Sequence, residues 1–307
     1  MTREEINEKR QREIFKEQNK ETIKNVSKKV IKWIFIIIIL GTSFFAYVTY
    51  VSTLKISVRE YRIINKKIPE TFNGVKIIQF SDLHYGSTMF DSNLDDIKKI
   101  INERKPDLLF FTGDLIDKNY KMSSKDTEIL TKKLMSLDAS LGKYAILGNE
   151  DDDEITTIFN QANFILLKNE YDLIYNDDNN PILLIGLSSL INNNQDIETG
   201  FRYFDQEAYN PDIYTVVLVH EPDSTIDIMN DYSPDIILSG HSHNGNIRLP
   251  FINYSIFKVN GAKKYDQNYY KINNTKLYVS SGLGTNNLGG IRLFCRPSIN
   301  FYRLSNK

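Results

Sequence analysis

Apolar runs in this sequence repeatedly break on polar residues of metal-binding type. Ser81-Asp82-Leu83-His84 follows the run 75–80, Gly113-Asp114 follows 108–111, and Gly148-Asn149 follows 144–147. His220 closes 214–219, and Gly240-His241-Ser242-His243 follows 236–238. Short apolar runs bounded in this way read as strands. Between the early ones, Leu94, Ile97 and Ile101 recur at helical spacing before Pro106, as do Leu130, Leu134 and Leu137, and Ile155, Ile158 and Phe159. Strands that alternate with helices predict a sheet with helices packed on its faces. Sites in such sheets form at the carboxyl ends of the strands. Five strand ends from distant parts of the sequence can therefore converge on one crevice. All 4 histidines of the chain sit on these ends, and histidine is the commonest metal ligand.

After residue 160 the rhythm changes. The stretches 164–167, 173–175 and 182–187 read as short strands, with an Asn/Asp-rich turn at 176–180 joining the last two. The strands 214–219 and 236–238 flank a helix, and 276–280 and 299–304 close the chain. The extra strands imply a second sheet. Asn-rich patches at 192–194 and 273–274 read as loops. The formal net charge of -1 gives no basic excess for nucleic acid. Cys295 is the single cysteine, which excludes an internal disulfide and a thiolate zinc framework. A metal site here must draw on His, Asp, Glu and Asn, a donor set that suits Mn, Fe or Zn.

No charged residue falls between Lys32 and Lys55, and Trp33 to Val51 is almost wholly apolar. About 20 apolar residues cross a bilayer core, and Trp33, Tyr47 and Tyr50 stand where an aromatic belt sits. The run lacks the polar face of an ordinary buried helix. The polar stretch before it is too long for a signal peptide, and no Ala-x-Ala site follows. The expected organisation is a polar N-terminal tail over 1–29, a transmembrane helix over 30–52 and one folded domain over 53–307. Thr2 and Glu5 have capping-box spacing, so the tail reads as a solvated helix or a disordered segment. Six lysines from Lys16 to Lys32 precede the span, and Lys55, Arg59, Arg62, Lys66 and Lys67 follow it. This slight bias favours the N-terminus inside and the domain outside the cell membrane.

The blocks Asp82-Leu83-His84, Gly113-Asp114, Gly148-Asn149, His220 and Gly240-His241-Ser242-His243 together resemble the calcineurin-like metallophosphoesterase superfamily, in order and in spacing. The ending, Ser281-Gly282-Leu283-Gly284-Thr285 with Ile291-Arg292 and Pro297, resembles a bacterial membrane-associated branch of it. The resemblance implies a four-layer α/β/β/α sandwich of two mixed sheets flanked by helices, here with an N-terminal transmembrane helix. It implies two divalent metal ions. Asp82, His84 and His243 would hold one, Asn149, His220 and His241 the other, and Asp114 would bridge them. It implies hydrolysis of a phosphate ester by a metal-activated hydroxide, with no covalent intermediate. Some members of the branch cleave the pyrophosphate of UDP-2,3-diacylglucosamine, so a phosphodiester or a lipid-linked pyrophosphate is the expected substrate. Nothing in these residues reads a nucleotide or an acyl chain.

One position departs from the pattern. The family usually carries His after Gly-Asn, where it protonates the leaving oxygen; this chain has Glu150. Glu150 takes that catalytic role only if burial or neighbouring Asp151 raises its pKa. The alternative is a metal-binding scaffold of the same fold with little catalysis. His241 and His243 share a face if the strand continues through them, and diverge if a turn intervenes. Arg292 is open to two readings, phosphate contact or pairing with a carboxylate. Gly282-Leu283-Gly284 reads as a backbone turn, and Asp151 to Glu154 as an acidic helix start.

Overall fold

The computed structural model describes residues 2–47, 55–207, 209–248, 255, 258–285 and 291–307. It separates into two compact units, Met1–Tyr50 and Val51–Lys307.

The first unit is a helix, α1 (Arg3–Ala46). Thr2 caps it: its main-chain N–H donates to the Glu5 carboxylate at 2.8 Å, and its hydroxyl accepts from Glu5 N. Glu8 and Arg12 pair one turn later at 3.7 Å. The polar stretch and the apolar stretch thus share one uninterrupted helix, which decides between the two readings of the tail. No residue of α1 is buried, and the helix is long and apolar enough to cross a membrane. Residues 48–52 of the expected span lie outside the described residues.

Among the described residues, the second unit holds two six-stranded sheets. The first contains β1 (Ser57–Ile64), β2 (Lys76–Phe80), β3 (Leu108–Thr112), β4 (Gly142–Ile146), β5 (Ile165–Leu166) and the C-terminal β12 (Ser298–Ser305). Their order is β1-β12-β2-β3-β4-β5. From β2 to β5 the strands are parallel; β12 runs antiparallel to β2, and β1 parallel to β12. The second sheet contains β6 (Glu170–Ile174), β7 (Ile182–Gly186), β8 (Thr215–Leu218), β9 (Ile236–Ser239), β10 (Tyr269–Ile272) and β11 (Thr275–Val279), ordered β10-β11-β9-β8-β7-β6. Its four inner strands are parallel and its two edges antiparallel.

Residue alternation along the strands divides the interior into layers. Ile78, Phe80, Leu109, Phe111 and Ala145 pack under α2 (Asp91–Arg104), α3 (Ser124–Met135) and α4 (Ile155–Gln161), against Leu94, Ile97, Leu130 and Phe159. The intervening Ile77, Leu108, Phe110 and Ile146 face Ile182, Leu184, Val216 and Leu238 of the second sheet. The outer face of that sheet, with Leu183, Val217 and Ile237, is covered by Phe201 and Tyr203 after α5 (Ile197–Gly200) and by Ile228 of α6 (Thr225–Asp231). Each such side chain contributes about 1.5–3 kcal/mol by leaving water. The result is the expected α/β/β/α sandwich of two mixed sheets. Two strands were not expected: β1 and β10, both at sheet edges with alternating exposure.

Candidate metal centre

β2, β3 and β4 lie side by side and parallel, so their carboxyl ends open at one edge of the first sheet. β8 and β9 do the same in the second. Asp82, Asp114 and Asn149 follow the first three strands, and His220 and His241 follow the other two. The turns are stitched together: Asp82 N donates to Gly113 O at 2.8 Å, Leu83 N to Asp114 O at 2.8 Å, and Gly240 N to His220 O at 3.0 Å. Gly113, at φ 93°, lies so near Gly148 that a Cβ on it would fall 2.7 Å from Gly148 Cα.

Two groups of donors converge. Potential ligand atoms of Asp82, His84 and His243 lie within 4.8 Å of one another, as do those of Asp114, His220 and His241. His84 Nε2 is 3.2 Å from His243 Nε2, and His243 Nε2 is 3.5 Å from Asp82 Oδ1. Asp114 Oδ2 stands between the groups, 3.1 Å from His220 Nε2 and 3.8 Å from His84 Nε2. A turn after β9 sends His241 to one group and His243 to the other, so the diverging reading of that pair holds. Asn149 lines the same cavity, of about 150 Å³, with Asp114, His241 and His243. Its Oδ1 is buried with no hydrogen-bond partner among the described residues. Buried polar atoms are rarely left unpaired. An orphaned amide oxygen beside convergent imidazoles and carboxylates fits a divalent cation.

The surroundings fix which ring nitrogen each histidine offers. His220 Nδ1 is 2.7 Å from Thr112 O, and His241 Nε2 is 2.6 Å from Asn260 O. Each of these nitrogens must carry the proton, leaving Nε2 of His220 and Nδ1 of His241 as acceptors toward the site. Burial opposes the charge on Asp114, but His220 beside it outweighs burial and holds the carboxyl below its usual range. Burial pushes His243 well below the usual imidazole value and keeps it neutral, as a ligand must be.

The site is also strained. Asp82, His84, Asp114, His241 and His243 have φ of 50°, 45°, 60°, 62° and 44°. Left-handed backbone costs about 1–2 kcal/mol per non-glycine residue, and such strain concentrates at functional sites.

Three residues behave otherwise than the sequence suggested. Asp151 does not start a helix. Its carboxylate turns inward and accepts from Asp114 N, Gly148 N and Leu115 N, each at 2.8 Å. Burial and then Asp114 push it up to about 6. Arg292 is fully buried behind His243 and donates to the carbonyls of Gly284 at 2.7 Å and Gly282 at 3.3 Å. It is a clamp on the turn 282–284, whose N–H groups at Leu283 and Gly284 hold the main chain of Ser81 and Asp82. Glu150 is nearly buried, and its carboxylate lies 3.3 Å from His84 Nδ1. Burial works against its charge, but His84 outweighs burial and its pKa is lowered. A carboxyl kept ionised does not meet the condition for donating a proton. Asp117, absent from the sequence reading, joins His84 and Glu150 in a third group of potential donors. Its only signal was its place three residues after Asp114. Glu221, directly after His220, is also new: it binds Leu190 N at 3.0 Å and Ser189 Oγ, tying the loop that carries Asn192 to Asn149 O.

Residues 75–245 match the sequence profile of the calcineurin-like phosphoesterases. The chain is 33% identical over 268 residues to YkuE of Bacillus subtilis, an uncharacterized metallophosphoesterase, covering 85% of this chain and 89% of that one. It is 30% identical over 286 residues to the UDP-2,3-diacylglucosamine pyrophosphatase LpxG of Chlamydia muridarum, covering 76% and 85%. Phosphodiesterase YaeI of Escherichia coli is 27% identical over 248 residues, covering 75% and 82%.

Proposed function

Since the chain belongs to the calcineurin-like phosphoesterase family, we propose that it hydrolyses a phosphate ester at two divalent metal ions held by the residues above. Asp82, His84 and His243 hold one ion, Asn149, His220 and His241 the other, and Asp114 joins them. The observation that carries this reading is Asp114 Oδ2, within 4 Å of an imidazole of each group. When bound, two such ions would supply Lewis acidity to phosphate oxygens and to a water nucleophile. The protein supplies the rest. Most donors are neutral, so the two carboxylates leave the pair of dications under-neutralised and attractive to an anion. Lys118 lines the cavity with an exposed ammonium that can meet the ester from outside. The donor set suits manganese, iron or zinc.

The substrate we favour is a phosphodiester or a lipid-linked pyrophosphate. A groove of about 570 Å³ adjoins the cavity and shares Lys118 and Glu150 with it. Its walls combine Ile116, Tyr120, Met122 and Ile158 with Lys118 and Lys121 and with the carboxylates of Asp117, Glu150, Asp152 and Glu154. The apolar part of this lining suits an ester that carries an apolar group, and the carboxylates make the cavity rather than the groove the place for its phosphate. The helix α1, read as a membrane anchor, would concentrate lipid-borne substrate near the site. The similarity to a UDP-2,3-diacylglucosamine pyrophosphatase agrees with this class.

The test is the full chain in detergent, stripped of metal and reloaded with Mn, Fe or Zn. It is assayed on an aryl phosphodiester, on phospholipids and on nucleotide-linked lipids in micelles. Metal-dependent turnover that is lost in Asp114→Asn, with the fold intact, supports the reading. Absence of turnover with every metal and substrate leaves the scaffold alternative standing.

A further inference from the structure

We propose that Glu150 is a positioning residue for His84, holding that imidazole in the tautomer and orientation in which Nε2 faces the metal site. The inference rests on the metal assignment above. Glu150 is three residues' worth of interactions in one place. Its main-chain N–H donates to Asp114 Oδ1 at 2.9 Å, so its backbone is fastened to the joining carboxylate. Its Oε2 lies 3.3 Å from His84 Nδ1 and accepts from Lys118 N at 3.3 Å. Its Oε1 lies 3.7 Å from Lys118 Nζ. The side chain is 3% exposed, whereas that of Lys118 is 62% exposed, so the carboxylate is the inner member of this pair.

His84 is wholly buried. Its two nitrogens meet opposite surroundings. Nε2 faces His243 Nε2 at 3.2 Å and Asp114 Oδ2 at 3.8 Å. On the far edge of the ring, Nδ1 lies 3.3 Å from Glu150 Oε2, with no aligned hydrogen bond to another group among the described residues, and a carboxylate oxygen of Asp117 belongs to the same cluster, whose ligand atoms lie within 4.8 Å of one another. A ring whose outer nitrogen has a carboxylate as its nearest polar neighbour keeps its proton there and presents the lone pair on the inner one. His220 obtains the same result from a carbonyl, Thr112 O at 2.7 Å from its Nδ1. The difference is charge. An anionic partner raises the basicity of the ligating nitrogen, and removing such partners typically weakens metal affinity about 10–100-fold. Glu150 in this role acts through His84 rather than as a proton donor.

The experiment separates this role from proton donation. Mn(II) is titrated into metal-stripped full chain in detergent, and free Mn(II) is read by its paramagnetic resonance signal. Wild type, Glu150→Gln and Glu150→Met are compared, with circular dichroism melts to establish that each is folded. The expected result is two equivalents in wild type. One of them is weakened about 10–100-fold in Glu150→Met and less in Glu150→Gln, which keeps an acceptor oxygen. The other equivalent stays unchanged. At saturating Mn(II), turnover of both variants recovers by the same factor for good and poor leaving groups. Unchanged affinities in both variants overturn the proposal. So does a loss of kcat that grows with leaving-group pKa at saturating metal, the signature of a missing acid. A third equivalent in wild type that disappears with Glu150 also overturns it, because Glu150 would then be a ligand. Wild type that takes up no Mn(II) overturns the metal assignment itself, a failure distinct from the others.

Discussion

Asp151 offers the sharpest test of how the site is held. Its two oxygens accept the main-chain N–H groups of Asp114, Leu115 and Gly148, each at 2.8 Å. These residues lie in the turns that follow β3 and β4, and all three are buried. In Asp151→Ala, three buried donors lose their acceptor together. An unsatisfied buried donor costs about 1–3 kcal/mol, and partial entry of water keeps the sum toward the lower end, at roughly 3–5 kcal/mol. That is a large part of the ~5–15 kcal/mol by which domains are stable. At about 2–4 °C per kcal/mol for a domain of this size, the melting temperature falls by roughly 6–20 °C. Asp151→Asn keeps one oxygen. It can serve the Asp114 and Gly148 donors while its amide group opposes Leu115 N–H, so its loss is about half as large. Urea denaturation of wild type and both variants measures the series. A cost for Asp151→Ala within about 1 kcal/mol of zero, or an Asn variant worse than Ala, would refute the reasoning.

Three further outcomes follow from the same geometry. Lys118→Ala leaves the melting temperature unchanged, since the side chain is largely exposed, but raises KM about tenfold, or ~1.4 kcal/mol, through loss of one charged contact; steady-state kinetics check it. Removing metal from the loaded chain with a chelator lowers stability by about 3 kcal/mol for each ion that stood at a hundred times its Kd, read as a metal-dependent melting temperature in calorimetry. A tag at the C-terminus is accessible to an impermeant reagent on intact cells and one at the N-terminus is not, if α1 spans the membrane with the domain outside; the opposite pattern reverses the orientation drawn from the lysine bias.

The layered fold was legible because burial on both faces leaves its mark on strand composition. Leu108, Leu109, Phe110 and Phe111 are all apolar, since successive side chains enter different cores. β1 was not legible for the opposite reason. It carries Arg59, Glu60 and Arg62 at a sheet edge, and its partner β12 pairs Ser57 with Ser298, far away in sequence. The seven expected donors stand out because short polar residues interrupt apolar runs. The groups that support them do not. Asp151 sits in an acidic run that looks like a solvated helix start, and only tertiary packing turns its side chain inward. Glu150 was visible as a departure, but its direction was not. Proximity to His84 depends on how the turn after β2 meets the turn after β4. The positive φ of Asp82, His84, Asp114, His241 and His243 left no trace either, because none of them is glycine.

The most direct test of the central claim is a crystal of the Mn-loaded chain measured at a wavelength where manganese scatters anomalously. The account predicts two anomalous peaks, one contacted by Asp82, His84 and His243, the other by Asn149, His220 and His241, with Asp114 touching both. A single peak, or two peaks that leave Asp114 or Asn149 out, would contradict it.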